Sequence, residues 1–310
     1  MRIPPRLGAL IAVVFWGISF VATKAVLSEI SFVTLIFFRF GVAAVLLNLV
    51  VRKMPARDAW PSLALMGFIG VFVHQMVQAY ALTLTSATHA GWLIGLTPVW
   101  SAILSALFLR ERFGIWKVVG LAGGFAGALL VITRGDFSSS VLALPSTRGD
   151  LLIFASTLNW AVYSVVGHPT IRRLGPRVAT AGMMTFGALM LAPFFVYERG
   201  WRELPHLSAV GWIAIVFLSI GCSAFGYLVW YGALEHVEVS RVAALLYLEP
   251  FVTFAAAIVL LHEPISGIAI AGGLLVIVSV MVMQYAPRIG SAPHPPSAPS
   301  PRFAGRRTLD

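Results

Sequence analysis

The chain has 310 residues, of which 59% are hydrophobic and only 11% are charged. Because soluble domains carry about a quarter charged residues, so few charges cannot cover a protein of this length in water. The net charge of +10 would suit a nucleic-acid-binding protein, but in so apolar a chain it indicates basic loops at one face of a membrane. The composition therefore predicts a membrane protein whose surroundings are a lipid bilayer, with no nucleic acid as partner.

Apolar runs that can span a membrane follow one another along the whole chain. A helix needs about 20 residues to cross roughly 30 Å of hydrocarbon. No small-residue cleavage site closes the first run, so we expect it to stay as a membrane helix. The sequence predicts helices 1 to 10 at residues 7–27, 32–51, 60–82, 88–109, 115–134, 149–168, 177–197, 207–234, 240–261 and 265–286.

The basic residues are divided unequally between the two faces of this topology. Sixteen Lys and Arg residues lie on the face that carries both termini and four lie on the other, while Lys24 and Arg39 fall inside helices. Basic loops stay in the cytoplasm, so both termini are predicted to be cytoplasmic. Residues 287–310 are rich in Pro, Ser and Arg, which predicts a disordered basic tail. Residues 135–148 are predicted to form an outward-facing linker.

One motif, a proline inside an apolar helix and a glutamate at the end of that helix, occurs twice. Pro98 and Pro250 are 152 positions apart, and so are Glu111 and Glu263. The shared offset indicates an internal duplication of five helices. Because five is odd, the second copy must be inserted upside down, and inverted repeats are typical of alternating-access transporters with a substrate site at mid-membrane. The two predicted repeats span residues 1–134 and 149–286.

Six short motifs stand out along the chain: Phe15-Trp16-Gly17, Arg39-Phe40, Thr85-Ser86-Ala87-Thr88, Asn159-Trp160-Ala161-Val162-Tyr163, and the two that end in Glu111 and Glu263. They resemble the motifs of the EamA family of the drug/metabolite transporter superfamily, in its ten-helix form. The resemblance covers residues 7–286 and implies a bacterial inner-membrane exporter of small metabolites, often amino acids, aromatic ones among them, or toxic amphiphiles. Sugar-phosphate and nucleotide-sugar transporters of the same superfamily are an alternative, but they would need several basic residues in the cavity.

The sequence contains no motif typical of an enzyme or of a cofactor site. It has no nucleophile elbow, His-Glu-x-x-His or phosphate loop, and no Cys/His cluster with the spacing of metal ligands. In the interiors of the predicted helices, away from their ends, His74 and Glu249 are the only His, Asp or Glu residues, which disfavours a multi-pass membrane enzyme. We therefore predict a secondary transporter without cofactor or metal, driven by a gradient of its substrate or of protons.

Glu249 is the most unusual residue of the predicted helices. It lies about nine residues into helix 9, roughly 13 Å deep at 1.5 Å per residue, where a carboxylate must be paired, hydrated or protonated. It would bind a substrate amine or take up a proton, or else have a structural partner in Arg39 or in backbone freed by Pro250. Pro98 and Pro250 are expected to kink their helices, as hinges or to widen a cavity.

Further polar residues are expected to face the interior of the helix bundle. Arg39 would find a carboxylate on the substrate or on the protein, whereas Lys24 is expected to reach the headgroups. His74 and Gln78 are four residues apart on one face of helix 3. His74 would couple transport to protons or make an interhelical hydrogen bond.

Aromatic residues at intermediate depth are candidates for the wall of a substrate cavity. Trp16 and Trp160 occupy similar places in the two repeats, and aromatic faces can hold an organic cation. Packing in the core is the alternative role for each of them. The candidates are Trp16, Trp160, Tyr163, Tyr227, Trp230, Tyr231 and Tyr247.

The residues at the ends of the repeated motif are interpreted as structural. Glu111 and Glu263 are expected to cap the starts of helices 5 and 10, with gating as the alternative. Small residues four apart on helix 5 (Gly120, Gly123, Gly124 and Gly127) predict close contact with a neighbouring helix, or else a homodimer instead of a monomer. The tripeptide Arg148-Gly149-Asp150 is interpreted as a chance match to a cell-adhesion sequence.

Overall fold

The structure is a computed structural model that describes residues 3–53, 55–100, 103–104, 115–234, 242, 244–264 and 266–285. This part of the chain is almost entirely helical and has no strand. Seven of its helices are long and apolar enough to cross a membrane, and two shorter apolar helices follow them. The protein is therefore a polytopic all-α membrane protein, which confirms the predicted fold class. The predicted tail, residues 287–310, and Glu111 lie outside the described residues.

The helical segments follow the predicted order, and most begin and end within a few residues of the predicted bounds. Two segments, Phe68–Val73 and Phe217–Phe225, are π-helical. The predicted linker contains a short helix, Ser139–Leu142, and the long helix that follows begins within it, at Pro145. The segments are α1 (Pro5–Val26), α2 (Phe32–Val51), α3 (Trp60–Gly67, Phe68–Val73 and His74–Leu84), α4 (Ala87–Ile94), α5 (Ile115–Thr133), α6 (Pro145–Leu174), α7 (Pro176–Tyr197), α8 (Ala209–Val216, Phe217–Phe225 and Gly226–Leu234), α9 (Glu249–Leu261) and α10 (Gly267–Tyr285).

Proline and serine residues determine several of the helix starts. Pro5, Pro145 and Pro176 lie in the first turns of α1, α6 and α7, where a missing backbone N–H breaks no helical hydrogen bond. Ser31 and Ser86 precede α2 and α4, and each hydroxyl accepts a hydrogen bond from the backbone N–H three residues later. These local signals place the helix starts at positions that the sequence makes recognisable.

The helix that contains Pro98 is interrupted just before this residue. The N–H groups of Gly95 and Leu96 donate to carbonyls three residues earlier, and the helix resumes at Thr97. Proline has no N–H for the carbonyl four residues before it, which is that of Ile94. The Thr97 hydroxyl donates to this carbonyl instead, at 2.8 Å. The expected kink is therefore a short break, and a neighbouring side chain repairs it.

Pro250 also follows a change of helical geometry. It is the second residue of α9, which is preceded by the 3-10 turn Ala244–Leu248. This irregular turn agrees with the kink expected at Pro250, because a proline is tolerated in the first turn of an α-helix but not in its interior. Pro98 and Pro250 thus occupy equivalent places, each just after an irregular turn.

Equivalent helices of the two halves pack together and run in opposite directions. Between α2 and α7, the ring of Phe37 stacks on that of Phe195 with 4.3 Å between centroids. Further along the pair, Asn48 Nδ2 donates to Thr185 Oγ1 at 2.8 Å. Residue numbers therefore rise along α2 while they fall along α7. This is the relation expected between equivalent helices of inverted repeats.

The glycines of α5 bring it into backbone contact with α10, again antiparallel. A methyl group on Gly127 would lie 2.6 Å from the carbonyl oxygen of Gly272, and one on Gly120 would lie 2.8 Å from Cβ of Met283. Neither position can hold a larger residue without a backbone shift. The small-residue pattern of helix 5 therefore serves contact with a neighbouring helix of the same chain, as predicted.

The two π-helical segments are equivalent under the offset of the repeat. Phe68–Val73 shifted by 152 positions falls on residues 220–225, inside Phe217–Phe225. A π-helical turn leaves carbonyl groups without their usual helical partner and is frequent at functional sites. In this protein, both π-helical segments border the same cluster of aromatic side chains.

Candidate functional site

Aromatic side chains from α1, α6 and α8 meet where the two halves of the chain come together. The centroid of Tyr227 is 5.3 Å from Trp16 and 6.5 Å from Trp160, so one tyrosine connects the two tryptophans. Trp160 continues the cluster to Tyr163 at 5.2 Å, and Trp16 continues it to Trp230 at 5.2 Å. The tryptophans that the sequence places at similar positions of the two repeats therefore belong to one aromatic cluster.

Hydrogen bonds to the π-helical segments orient this cluster. Trp16 Nε1 donates to the Cys222 carbonyl at 3.0 Å, from α1 to the π-helical segment of α8. In the other half, Asn159 Nδ2 donates to the Ile69 carbonyl at 2.9 Å, from α6 to the π-helical segment of α3. Each half thus uses a side-chain N–H next to the aromatic cluster to satisfy a carbonyl of the other half.

The tyrosine hydroxyls form a second set of contacts inside the cluster. The hydroxyls of Tyr163 and Tyr231 are 3.1 Å apart, and the Tyr163 hydroxyl also donates to the sulfur of Met183 at 2.9 Å. All these side chains are buried. A buried, hydrogen-bonded aromatic set has fixed ring positions, which suits recognition of a flat or apolar substrate group.

Arg39 is buried beside the aromatic cluster. Its Nε donates to Ser223 Oγ at 3.0 Å, and its guanidinium carbon lies 5.3 Å from the centroid of the Phe40 ring. Among the described residues, no ion pair joins Arg39 to Glu249, so one of the alternative partners considered for Glu249 is not observed. The position of Ser223 within a π-helical segment could not be read from the helical periodicity of the sequence.

Glu249 lies at the contact between α1 and α9, at the level of the aromatic cluster. A methyl group on Gly17, the residue after Trp16, would lie 3.0 Å from the carbonyl oxygen of Glu249. The Thr253 hydroxyl lies 2.9 Å from the Gly17 carbonyl oxygen, to which it donates. The Glu249 side chain is only partly buried. Among the described residues, none makes a hydrogen bond or an ion pair with its carboxylate.

His74 joins the same region, whereas two other candidates are placed less closely. The His74 ring is 5.2 Å from that of Trp160, and its buried Nδ1 has no hydrogen-bond partner in the described part of the chain. Gln78 is partly buried on α3, one turn further along. Tyr247 packs instead in a second apolar cluster, with Phe20 and Trp92 among its members.

Polar residues form a second group at one end of the molecule, which the sequence did not predict. Asp150, at the start of α6, is completely buried. Its carboxylate accepts a hydrogen bond from the Thr85 hydroxyl, lies 2.9 Å from His89 Nδ1 and lies 3.9 Å from the guanidinium of Arg134. The tripeptide that we interpreted as a chance match therefore contains the central carboxylate of a buried polar network.

Glu263 caps a helix, but not the one that we predicted. Its two carboxylate oxygens accept hydrogen bonds from the N–H groups of Ala87 and Thr88, at 2.8 and 2.9 Å, at the start of α4. The start of α10 is capped by Ser266, whose hydroxyl accepts from Ala269 N at 3.3 Å. The second half of the chain thus supplies the cap of a helix in the first half. The predicted role of Glu111 lies outside the described residues.

Lys24 also has a structural partner in the first half of the chain. Its Nζ donates to the carbonyl oxygens of Leu82 and Thr85, at 2.6 and 2.5 Å, at the end of α3. A cation at a helix C-terminus satisfies the last carbonyls and interacts favourably with the helix dipole. Two of the three N–H donors of Lys24 are therefore bound within the protein, and Arg39 is bound to Ser223.

Comparison with known proteins gives the family of the chain. The model of the EamA-like transporter family matches residues 5–133 and again residues 147–285. An uncharacterized transporter of Archaeoglobus fulgidus is 31% identical over 277 residues, which cover 88% of this chain and 96% of the relative. A probable terminal-alkyne amino-acid exporter of Streptantibioticus cattleyicolor is 28% identical, covering 92% of this chain and 95% of its own. A protein of solved crystal structure has the same fold, with a TM-score of 0.60 and 24% identity over 90% of this chain and 95% of its own. The chain belongs to the EamA-like transporter family.

Proposed function

We propose that the protein is a secondary transporter that exports a small amphiphilic metabolite across a bacterial inner membrane. The substrate class is an amino acid, an aromatic one included, or an organic cation. The observation that carries this proposal is the buried aromatic cluster between the halves of the chain, next to a carboxylate without a bonded partner. The similarity to a probable amino-acid exporter supports the same substrate class. Sixteen basic residues on one predicted face against four on the other support an orientation with both termini in the cytoplasm.

Within this proposal, the aromatic cluster binds the apolar part of the substrate and Glu249 binds its ammonium group. An aromatic face attracts a cation most strongly where water is excluded, and an unpaired carboxylate within a membrane is stabilised by a cation or a proton. Glu249 therefore exchanges a proton for a substrate amine. The further residues assigned to this site are Arg39, His74, Gln78, Trp160, Tyr163 and Tyr227.

Alternating access follows from two repeats that move relative to each other. We assign the first repeat to residues 1–134 and the second to residues 149–286, with an outward linker between them and a cytoplasmic tail after them. Equivalent helices in opposite orientation allow the site to open to one side at a time. The irregular turns before Pro98 and Pro250 are the proposed hinges. Glu111 and Glu263 are assigned to gating, through contacts between helix ends, and these contacts change during transport.

Flux through proteoliposomes tests the proposed substrate class. We expect Trp16→Leu to raise the apparent KM for an amphiphilic cation by about 5- to 30-fold, because an aromatic face contributes about 1–2 kcal/mol to binding of a desolvated cation. The panel is a set of amino acids and cationic amphiphiles, measured with and without a pH gradient.

Trp212→Leu is the matched control for this substitution. Trp212 lies on α8 and is 41% exposed, so its loss leaves the aromatic cluster intact. We expect its KM values to equal those of the wild type. Equal KM values for Trp16→Leu and Trp212→Leu, over the whole panel, would remove the aromatic cluster from the substrate site.

A further inference from the structure

A cavity lined mainly by polar residues lies at one end of the molecule, separate from the aromatic cluster. Its volume is about 420 Å³, and its lining includes Lys24, Thr88, Arg134 and Glu263. Cavities of about 300–1,000 Å³ are typical of small-molecule sites. Lys24 lies eight residues beyond Trp16 on α1, which is about 12 Å along a helix at 1.5 Å per residue. The cavity is therefore too far from the aromatic cluster for one small head group to touch both.

Opposite charges face this cavity without forming an ion pair. Lys24 and Glu263 both line it, yet no ion pair joins these two described side chains. A lysine ammonium has three N–H donors, and two of those of Lys24 are bound to carbonyls. A carboxylate has about four acceptor positions, and Glu263 uses two of them at the start of α4. Each group therefore keeps bonding capacity for a ligand.

Two further groups complete the set of ligand contacts. Arg134 lines the cavity with a side chain that is 34% exposed. Its guanidinium comes no closer than 3.9 Å to the Asp150 carboxylate, which is too long for a hydrogen bond, so its N–H donors remain available to a ligand. The Thr88 hydroxyl is buried and has no hydrogen-bond partner among the described residues. Lys24 and Arg134 carry positive charge and Glu263 carries negative charge, which is the complement of a group with one carboxylate and one ammonium.

We propose that this outer cavity is a second substrate subsite, which binds the zwitterionic head group of an α-amino acid. Lys24 and Arg134 bind the carboxylate, and Glu263 binds the ammonium. This inference rests on the proposed transport function and adds to it a preference for zwitterions over amphiphiles that carry a single charge. By the charge distribution of the loops, the subsite lies on the outward side, between the aromatic cluster and the exit.

Three probes of similar shape separate the two charges of the head group. L-Phenylalanine has both, phenethylamine lacks the carboxylate, and 3-phenylpropionate lacks the ammonium. The full chain in proteoliposomes should show the lowest apparent KM for L-phenylalanine. Arg134→Gln should raise the KM for L-phenylalanine and 3-phenylpropionate by about fivefold, the effect of one partly exposed charge, and leave phenethylamine within twofold.

A second variant tests the other end of the head group. Glu263→Gln should raise the KM for L-phenylalanine and phenethylamine but not for 3-phenylpropionate, a difference that a general loss of folding cannot produce. Arg148→Gln is the matched control, because Arg148 is an exposed cation near the same end of the molecule and does not line the cavity. Its three KM values should equal those of the wild type.

The outcomes separate this inference from the proposed function. If Arg134→Gln and Glu263→Gln transport the probes but shift the three KM values equally, or do not shift them at all, the outer subsite is overturned and the transporter proposal stands. A wild type that prefers phenethylamine to L-phenylalanine also overturns the subsite alone. A wild type that carries none of the three probes overturns both.

Discussion

Replacing Glu249 with glutamine is expected to lower the rate of export of cationic and zwitterionic substrates by about a hundredfold. Loss of one partner from a buried charge pair costs about 2–5 kcal/mol, and each 1.4 kcal/mol corresponds to a factor of ten. The carboxylate at the level of Trp16 has no bonded protein partner among the described residues, so the substitution leaves no other protein group unpaired. The effect should therefore fall on the substrate, or on the proton that replaces it.

The measurement is the initial rate of flux in proteoliposomes at several pH values, with and without a pH gradient. In the variant, a pH gradient should no longer accelerate transport, because glutamine cannot take up a proton. Glu198→Gln removes an exposed carboxylate just after α7 and should retain both the rate and its response to pH. A Glu249→Gln protein that transports like the Glu198→Gln control at every pH would exclude charge recognition and proton coupling by Glu249.

Replacing Asp150 with leucine is expected to be the most destabilising single substitution in the buried polar network that Asp150 forms with Thr85, His89 and Arg134. Leaving a buried hydrogen-bond donor without its acceptor costs about 1–3 kcal/mol, and more where the lost acceptor is charged. In this variant, the Thr85 hydroxyl and the His89 ring would lose the acceptor that they share. The free energy of unfolding of the purified protein in detergent should fall by an amount in this range.

Asp58→Asn provides the comparison for this stability measurement. Asp58 pairs with Arg173 at 3.1 Å, but both side chains are more than half exposed, and exposed ion pairs contribute little to stability. The free energy of unfolding should therefore change far less than in Asp150→Leu. If the two substitutions destabilise the protein equally, the buried network around Asp150 has no special structural role.

The membrane helices and their duplication could be predicted from the sequence because both are properties of the chain itself. The lengths and positions of the apolar runs predicted the segments from α1 to α10 in their order. The offset between Pro98 and Pro250 indicated the repeat, and an odd number of helices required its inversion. The antiparallel packing of α2 with α7 and of α5 with α10 has the form expected from these arguments.

The partners of the charged residues could not be predicted because they are distant in sequence. Glu263 precedes α10 by only a few residues, so a local cap was the natural expectation, yet its carboxylate binds the start of α4. Lys24 likewise binds carbonyls at the end of α3. Helix ends from different halves meet at one end of the molecule, and only their three-dimensional packing brings these groups together.

The aromatic part of the site was easier to predict than its polar contacts. Depth in the predicted helices indicated Trp16 and Trp160, which do share one cluster through Tyr227. The bond from Arg39 to Ser223 depends on a π-helical segment, which shifts side chains away from the regular 3.6-residue period. Asp150 was missed because it lies at a predicted helix boundary, where burial cannot be inferred from hydropathy.

Counterflow in proteoliposomes tests the central claim, that two inverted halves carry a substrate through a site open to one side at a time. Vesicles are loaded with unlabelled L-phenylalanine or phenethylamine and diluted into a trace of the same compound in labelled form. An alternating-access carrier returns from each export step with labelled substrate bound, so the label should rise transiently above its equilibrium level inside. A monotonic approach to equilibrium that does not saturate with concentration would contradict the account.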